Sequence, residues 1–225
     1  MGILPGALGK SRQTRRVAIK QTLLAVRRVP VTAGFVVLLA ATEVGYALLT
    51  RPDASRLAAW ASTNVDRLRT EPLGPMVVSA FVVEDDPIAW LAVAAVAFGI
   101  VEWRVGWRPA LVTAVAAHVL GTVVSEGIVW WRVRDHALPT SALHQLDVGA
   151  SYVVVGILAV AVVVAPRAGQ IVAAGLLVAL APALLDGISS LAVPAVGHLT
   201  AAAIGFASGR LLRRNARIVG HCPSQ

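Results

Sequence analysis

Cysteine is almost absent: Cys222 is the only one in 225 residues. An internal disulfide and a cysteine-based metal site are therefore excluded. Charge is also scarce, at 14% of residues, where an ordinary soluble domain carries roughly 25%. Aromatic residues make up only 5%, so the 57% apolar content is carried mainly by Ala, Val, Leu and Ile. The chain has no strict apolar–polar alternation, which argues against a membrane β-barrel. It also has no internal repeat, low-complexity tract or polar linker, so it reads as one domain. What it has instead is long unbroken apolar runs. A soluble core uses apolar residues in short periodic stripes, whereas runs of this length belong in lipid.

Six stretches approach the length needed to cross a bilayer, near 20 residues. They cover about 29–49, 87–101, 109–131, 149–165, 170–185 and 188–209. Backbone polar groups in hydrocarbon must be satisfied within their own segment, so each run is predicted to be a helix. The basic residues gather at the two ends. Arg12, Arg15, Arg16, Lys20, Arg27 and Arg28 precede the first run, and Arg210, Arg213, Arg214 and Arg217 follow the last. Beside apolar runs, such clusters mark cytoplasmic flanks and contacts with anionic headgroups, so nucleic acid is set aside as a partner. The basic start extends to Arg28 and the next run is long enough to span, unlike a cleaved signal peptide.

The expected layout is a basic cytoplasmic segment at 1–28, a membrane domain at 29–210 and a basic cytoplasmic tail at 211–225. Both termini face the cytoplasm of a multi-pass cell-membrane protein. Arg104, Arg108 and Arg167 then fall inside; Arg132 and Arg134, placed outside, are outweighed by the two termini. The long connection 50–86 is external, with six acids against four arginines. Its apolar, Trp-bearing stretch at 57–60 predicts a partly embedded segment.

Ionisable groups inside a span are costly and mark function by default. The third run carries His118, Thr122, Ser125 and Glu126 at spacings of three and four, which share one helical face. That face must look into the bundle. Asp147 precedes the fourth run, which opens Gly149-Ala150-Ser151-Tyr152, and His144 lies just upstream. The sixth contains Gly197-His198, followed by the small residues Ala201, Gly205 and Gly209. His118, Glu126, His144 and Asp147 could form a coupled polar network, or an ordinary interhelical one. Ser151 and His198 fit one chemistry together, since an imidazole that takes the serine proton makes the hydroxyl a nucleophile. With the expected topology, both lie toward the external face, where water can reach them.

In order and context these residues resemble the rhomboid family of intramembrane serine proteases. Gly149-Ala150-Ser151 stands at the family's Gly-x-Ser-Gly, with Tyr152 in place of the last glycine. His198 to Gly205 keeps the spacing of the family's histidine and later glycine, although Ala201 replaces the nearer one. The stretch Gly99-Ile-Val-Glu102-Trp-Arg104-Val-Gly106 is similar to the Gly-x-x-Glu-x-Arg-x-Gly pattern closing the second helix. The resemblance covers roughly residues 30–210, of a divergent, actinobacterial-type member.

It implies an all-α bundle of six transmembrane helices, a Ser151–His198 dyad, motif glycines Gly149 and Gly205, and no cofactor or metal. The family's His-x-x-x-Asn pair, which holds the oxyanion, falls here on Asp86 and Trp90. Two functions follow from that departure. One is proteolysis of transmembrane substrates; the other is a rhomboid-like pseudoprotease that binds transmembrane client helices. A small transporter using the 118/122/126 face is a third class, but transporters commonly carry inverted repeats and none is present.

Overall fold

A computed structural model describes residues 28–83 and 86–219. The basic residues 12–27 and Cys222 lie outside the described residues. Nine α-helices run through the described residues, without a strand. The first, α1, spans Pro30–Leu48. Three short helices follow in the connection: α2 (Arg51–Ala61), α3 (Val65–Thr70) and α4 (Leu73–Val78), then a 3-10 turn at Ser79–Phe81. The bundle continues with α5 (Pro87–Val105) and α6 (Trp107–Arg134). After a 3-10 turn at Thr140–His144 come α7 (Ser151–Val164), α8 (Arg167–Leu184) and α9 (Val193–Val219).

Four helices, α1, α5, α6 and α8, are long and apolar enough to cross a membrane. α7 is apolar but only 14 residues long, roughly 21 Å at 1.5 Å per residue. α9 has 27 residues and becomes basic from Arg210 onward. Large apolar side chains lie open on the outer faces, such as Val37 at 64%, Ile171 at 72% and Val178 at 73% exposure. Water would penalise that surface, and hydrocarbon would not. Exposed Trp103 and Trp107 stand at one end of the bundle, and exposed Trp130 and Trp131 at the other. Along α6 the two levels are about 35 Å apart, near the spacing of the two membrane interfaces.

The central element is α7, buried continuously from Tyr152 to Ala161. It packs against α5, α6, α8 and α9. Small residues permit the close approach. A side chain at Gly156 would overlap Ala117 of α6, and one at Gly205 of α9 would overlap the Gly156 carbonyl. α1 leans on α5, with Phe35 stacked on Phe98 at 4.8 Å between ring centres. α1 and α8 are lightly embedded, with only Phe35 and Leu39 buried on the first and only Ala173 and Leu184 on the second.

Several boundaries differ from expectation. The sixth run was expected from 188, but Gly187 and Leu191 hold positive φ angles of 72° and 57°. These turn the chain, and α9 begins only at Val193. The second helix continues to Val105, where Gly106 at φ 85° stops it. The 50–86 connection is three helices whose inner residues, including Ala58, Ala61, Val65 and Pro75, are buried against protein.

The Glu102–Arg104–Gly106 pattern is architectural. Buried Glu102 accepts from the amides of Val31 (2.9 Å) and Thr32 (2.7 Å) and from the Thr32 hydroxyl (2.7 Å). A carboxylate at the free amides of a helix start satisfies them and suits the helix dipole. Arg104 Nε donates to the carbonyl of Val164, closing the last turn of α7.

Candidate active site

The first connection clamps the approach to α7. The amide of Thr63 donates to the Asp147 carbonyl (2.9 Å), and the Asp147 amide donates to the Ser62 hydroxyl (3.0 Å). The amide of Gly149 donates to the carbonyl of Ser79 at 2.9 Å. Gly149 has φ 149°, a conformation that side chains rarely adopt, which glycine tolerates without strain. The chain so held delivers Ser151 as the first residue of α7, with no side-chain cap on the helix start. The leading amides of a helix have no intrahelical acceptor.

Ser151 and His198 line one cavity of about 460 Å³, together with Asp86, Trp90 and Gly149. His198 Nδ1 lies 2.8 Å from the carbonyl of Leu184. A carbonyl only accepts, so Nδ1 carries the proton and a neutral ring presents Nε2 as a lone pair. That Nε2 is buried and has no hydrogen-bond partner. The Ser151 hydroxyl is likewise unpartnered among the described residues and is not bonded to His198.

Tyr152 was noted in sequence only as a departure from a motif, and the structure gives it a place. Its ring meets His198 edge-on at 5.1 Å. It is wedged between Gly197, where a side chain would overlap the ring, and Gly121, where an added Cβ would lie 3.2 Å from Cδ2. Its hydroxyl is 3.3 Å from both Asp147 Oδ1 and the Val193 carbonyl, either of which can take its one proton. Asp147 Oδ2 also accepts from the Thr63 hydroxyl at 3.1 Å. Burial pushes the Asp147 carboxyl up to about 6, and the hydrogen bonds from Thr63 and Tyr152 act in the opposite direction.

The four polar residues grouped in the sequence divide into separate places. The 118/122/125/126 face is buried throughout. His118 Nε2 donates to the Met76 carbonyl at 2.8 Å and lies 3.2 Å from the Ser79 hydroxyl. It thus holds the end of the first connection. Glu126 faces the Val65 amide at the start of α3 without closing a hydrogen bond, and lies within electrostatic reach of Asp147. His144 is on the surface, 3.8 Å from Asp66, apart from the others.

Asp86 and Trp90 do reach the cavity. Asp86 Oδ1 caps α5 by accepting from the amide of Ala89 at 3.1 Å. Leu184 and Tyr152, the residues that orient His198, were not legible beforehand. The only signal was the paired absence of side chains at Gly121 and Gly197.

A serine opening a buried central helix, on the same cavity as an imidazole of a second helix in an apolar bundle, defines a multi-pass membrane protein with a serine and a histidine on one pocket. The family model described as "Rhomboid-like protein" matches residues 24–218. The chain belongs to that family. No curated protein and no solved structure gave a match.

Proposed function

We propose that this protein is an intramembrane serine protease that cleaves membrane-spanning substrates through Ser151 and His198. The observation that carries the reading is the free, buried Nε2 of His198 on the same cavity as the unpartnered Ser151 hydroxyl. Nε2 takes the Ser151 proton as Oγ bonds to the substrate carbonyl carbon. The bond from Nδ1–H to Leu184 steadies the imidazolium so formed. In this reading backbone amides near Ser151 serve as the oxyanion donors, and such donors are worth about 2.7–4 kcal/mol in hydrolases. Collapse breaks the carbon–nitrogen bond, and Nε2–H protonates the leaving amine. Water, deprotonated by the same nitrogen, then adds to the acyl carbon; the carbon–Oγ bond breaks, and Nε2–H returns the proton to Ser151.

The reading includes six crossings, with α7 and the apolar part of α9 as the shorter ones, in the cell membrane. Both termini are cytoplasmic, flanking the domain at 29–210, and the cavity opens toward the external face. A second reading is supported by Asp86 and Trp90 on the cavity wall. A carboxylate there opposes an oxyanion, so this one favours a pseudoprotease that binds transmembrane clients.

The test is labelling of the detergent-solubilised protein with a fluorescent serine-directed phosphonate, beside Ser151→Ala and His198→Ala. Labelling of the wild type that both substitutions abolish is expected. An unlabelled wild type, with an active rhomboid labelled in the same detergent, would overturn proteolysis in favour of client binding.

A further inference from the structure

The opposite end of α7 is also hollow. α7 stops at Val164, whereas α5 runs to Val105 and α9 continues past it to Val219. The space left below its last turn is a cavity of about 270 Å³. Part of its wall is apolar, from Val105, Val163 and Leu212, and part is polar, from Arg104, Gln170 and Arg213. Arg104 commits its Nε–H to the Val164 carbonyl at 3.3 Å. Its remaining guanidinium donors have no partner, and Arg213 has none at all among the described residues.

The surroundings reinforce this charge. Arg28, Arg104, Arg108, Arg167, Arg210, Arg213 and Arg214 all stand at this end of the helices. Among the described residues the one acid there, Glu102, is buried and occupied by the start of α1. Trp103 and Trp107 sit at the same level beneath the guanidinium groups of Arg28 and Arg108. Tryptophan and arginine at a helix end mark the headgroup layer. A cavity at that depth with the open donors of Arg104 and Arg213 and an apolar wall suits an amphipathic anion.

We propose that this hollow binds the phosphate of an anionic phospholipid between Arg104 and Arg213, with an acyl chain along Val105, Val163 and Leu212. Basic pockets between transmembrane helices at the membrane face are suited to lipid phosphates. A planar guanidinium offers the paired donors that a phosphate accepts. A zwitterionic headgroup would bring its own cation among seven arginines and is disfavoured.

The experiment is native mass spectrometry of the delipidated full chain in non-ionic detergent, with equimolar phosphatidylglycerol and phosphatidylcholine. The wild type is expected to retain one phosphatidylglycerol in preference. Arg213→Gln, at an exposed position, should weaken it about fivefold, the factor equivalent to ~1 kcal/mol per arginine at a headgroup. Arg210→Gln, which adds only to the surrounding charge and does not line the hollow, should weaken it clearly less than Arg213→Gln. Equal retention of the two lipids, or equal losses in the two variants, would overturn the site in favour of diffuse surface charge. Displacement of phosphatidylglycerol by millimolar inorganic phosphate would overturn the lipid assignment and give the hollow to a free anion.

Discussion

Adding one methyl group at Gly197 would drive it into the ring of Tyr152. The ring has no free direction to yield. Its other face lies against Gly121, and its hydroxyl is held near Asp147 and Val193. Overpacking of this kind costs about 1–3 kcal/mol. Alanine's helix propensity returns up to ~1 kcal/mol, so Gly197→Ala should lose about 0–2 kcal/mol net and about 1–3 kcal/mol relative to an alanine placed in open space. Gly175 of α8 is the control, because nothing lies within 4 Å of a side chain added there. Gly175→Ala should be neutral or up to ~1 kcal/mol more stable. The assay is reversible unfolding in mixed micelles by dodecyl sulfate titration, followed by circular dichroism. Phosphonate labelling should fall with Gly197→Ala as well, since His198 is the next residue. If Gly197→Ala unfolds at the same midpoint as Gly175→Ala, Tyr152 is not wedged there and the account of how α7 meets α9 fails.

Glu102→Gln keeps the shape but removes a charge that accepts three hydrogen bonds from the start of α1. With charged bonds worth about 1.5–3 kcal/mol each, a loss of at least ~2 kcal/mol is expected, with faster proteolysis near residue 30; unchanged stability and cleavage would rule out the cap. Asp147 is an acid whose folded value is raised, from 3.8 to about 6. The folded state therefore binds its proton more tightly than the unfolded one. The stability this adds is complete below pH 3.8 and is lost as pH rises through about 6, roughly 3 kcal/mol in all. The wild type should be more stable at pH 4 than at pH 7.5 in the same titration, and Asp147→Asn should flatten that slope. Glu126 is present in both proteins, so identical slopes would place the titration elsewhere.

The parts of the fold that depend on bulk composition were legible. The run at 29–49 became α1 at Pro30–Leu48, because twenty apolar residues have no alternative to a helix in lipid. The spacing of His118, Thr122, Ser125 and Glu126 correctly put all four inside the bundle. What escaped was whatever depends on a partner distant in sequence. The acceptor role of Glu102 is completed by residues 70 and 71 positions away, and no local pattern points to them. His198 is oriented by a backbone carbonyl, which every residue carries and no sequence can distinguish. His144 sits near Asp147 in sequence, but the turn at Thr140–His144 carries it to the surface. Counting back from Glu102 did bring Asp86 and Trp90 to the cavity, because a helix converts sequence spacing directly into direction. The late start of α9 was missed because Leu191 adopts a left-handed backbone that its side chain disfavours.

The imidazole of His198 is tied to Leu184, the last residue of a helix with only two buried side chains. Helices with few buried contacts open locally at a small fraction of the global unfolding free energy. Whenever the final turn of α8 lifts, the carbonyl leaves and the ring loses the bond that fixes its tautomer. The lifetime of a correctly aimed Nε2 is therefore bounded by the docking lifetime of that turn. A change that loosens α8 alone, such as thinner lipid or an intruding helix, would disorient the base while leaving Ser151 and the His198 side chain chemically unaltered.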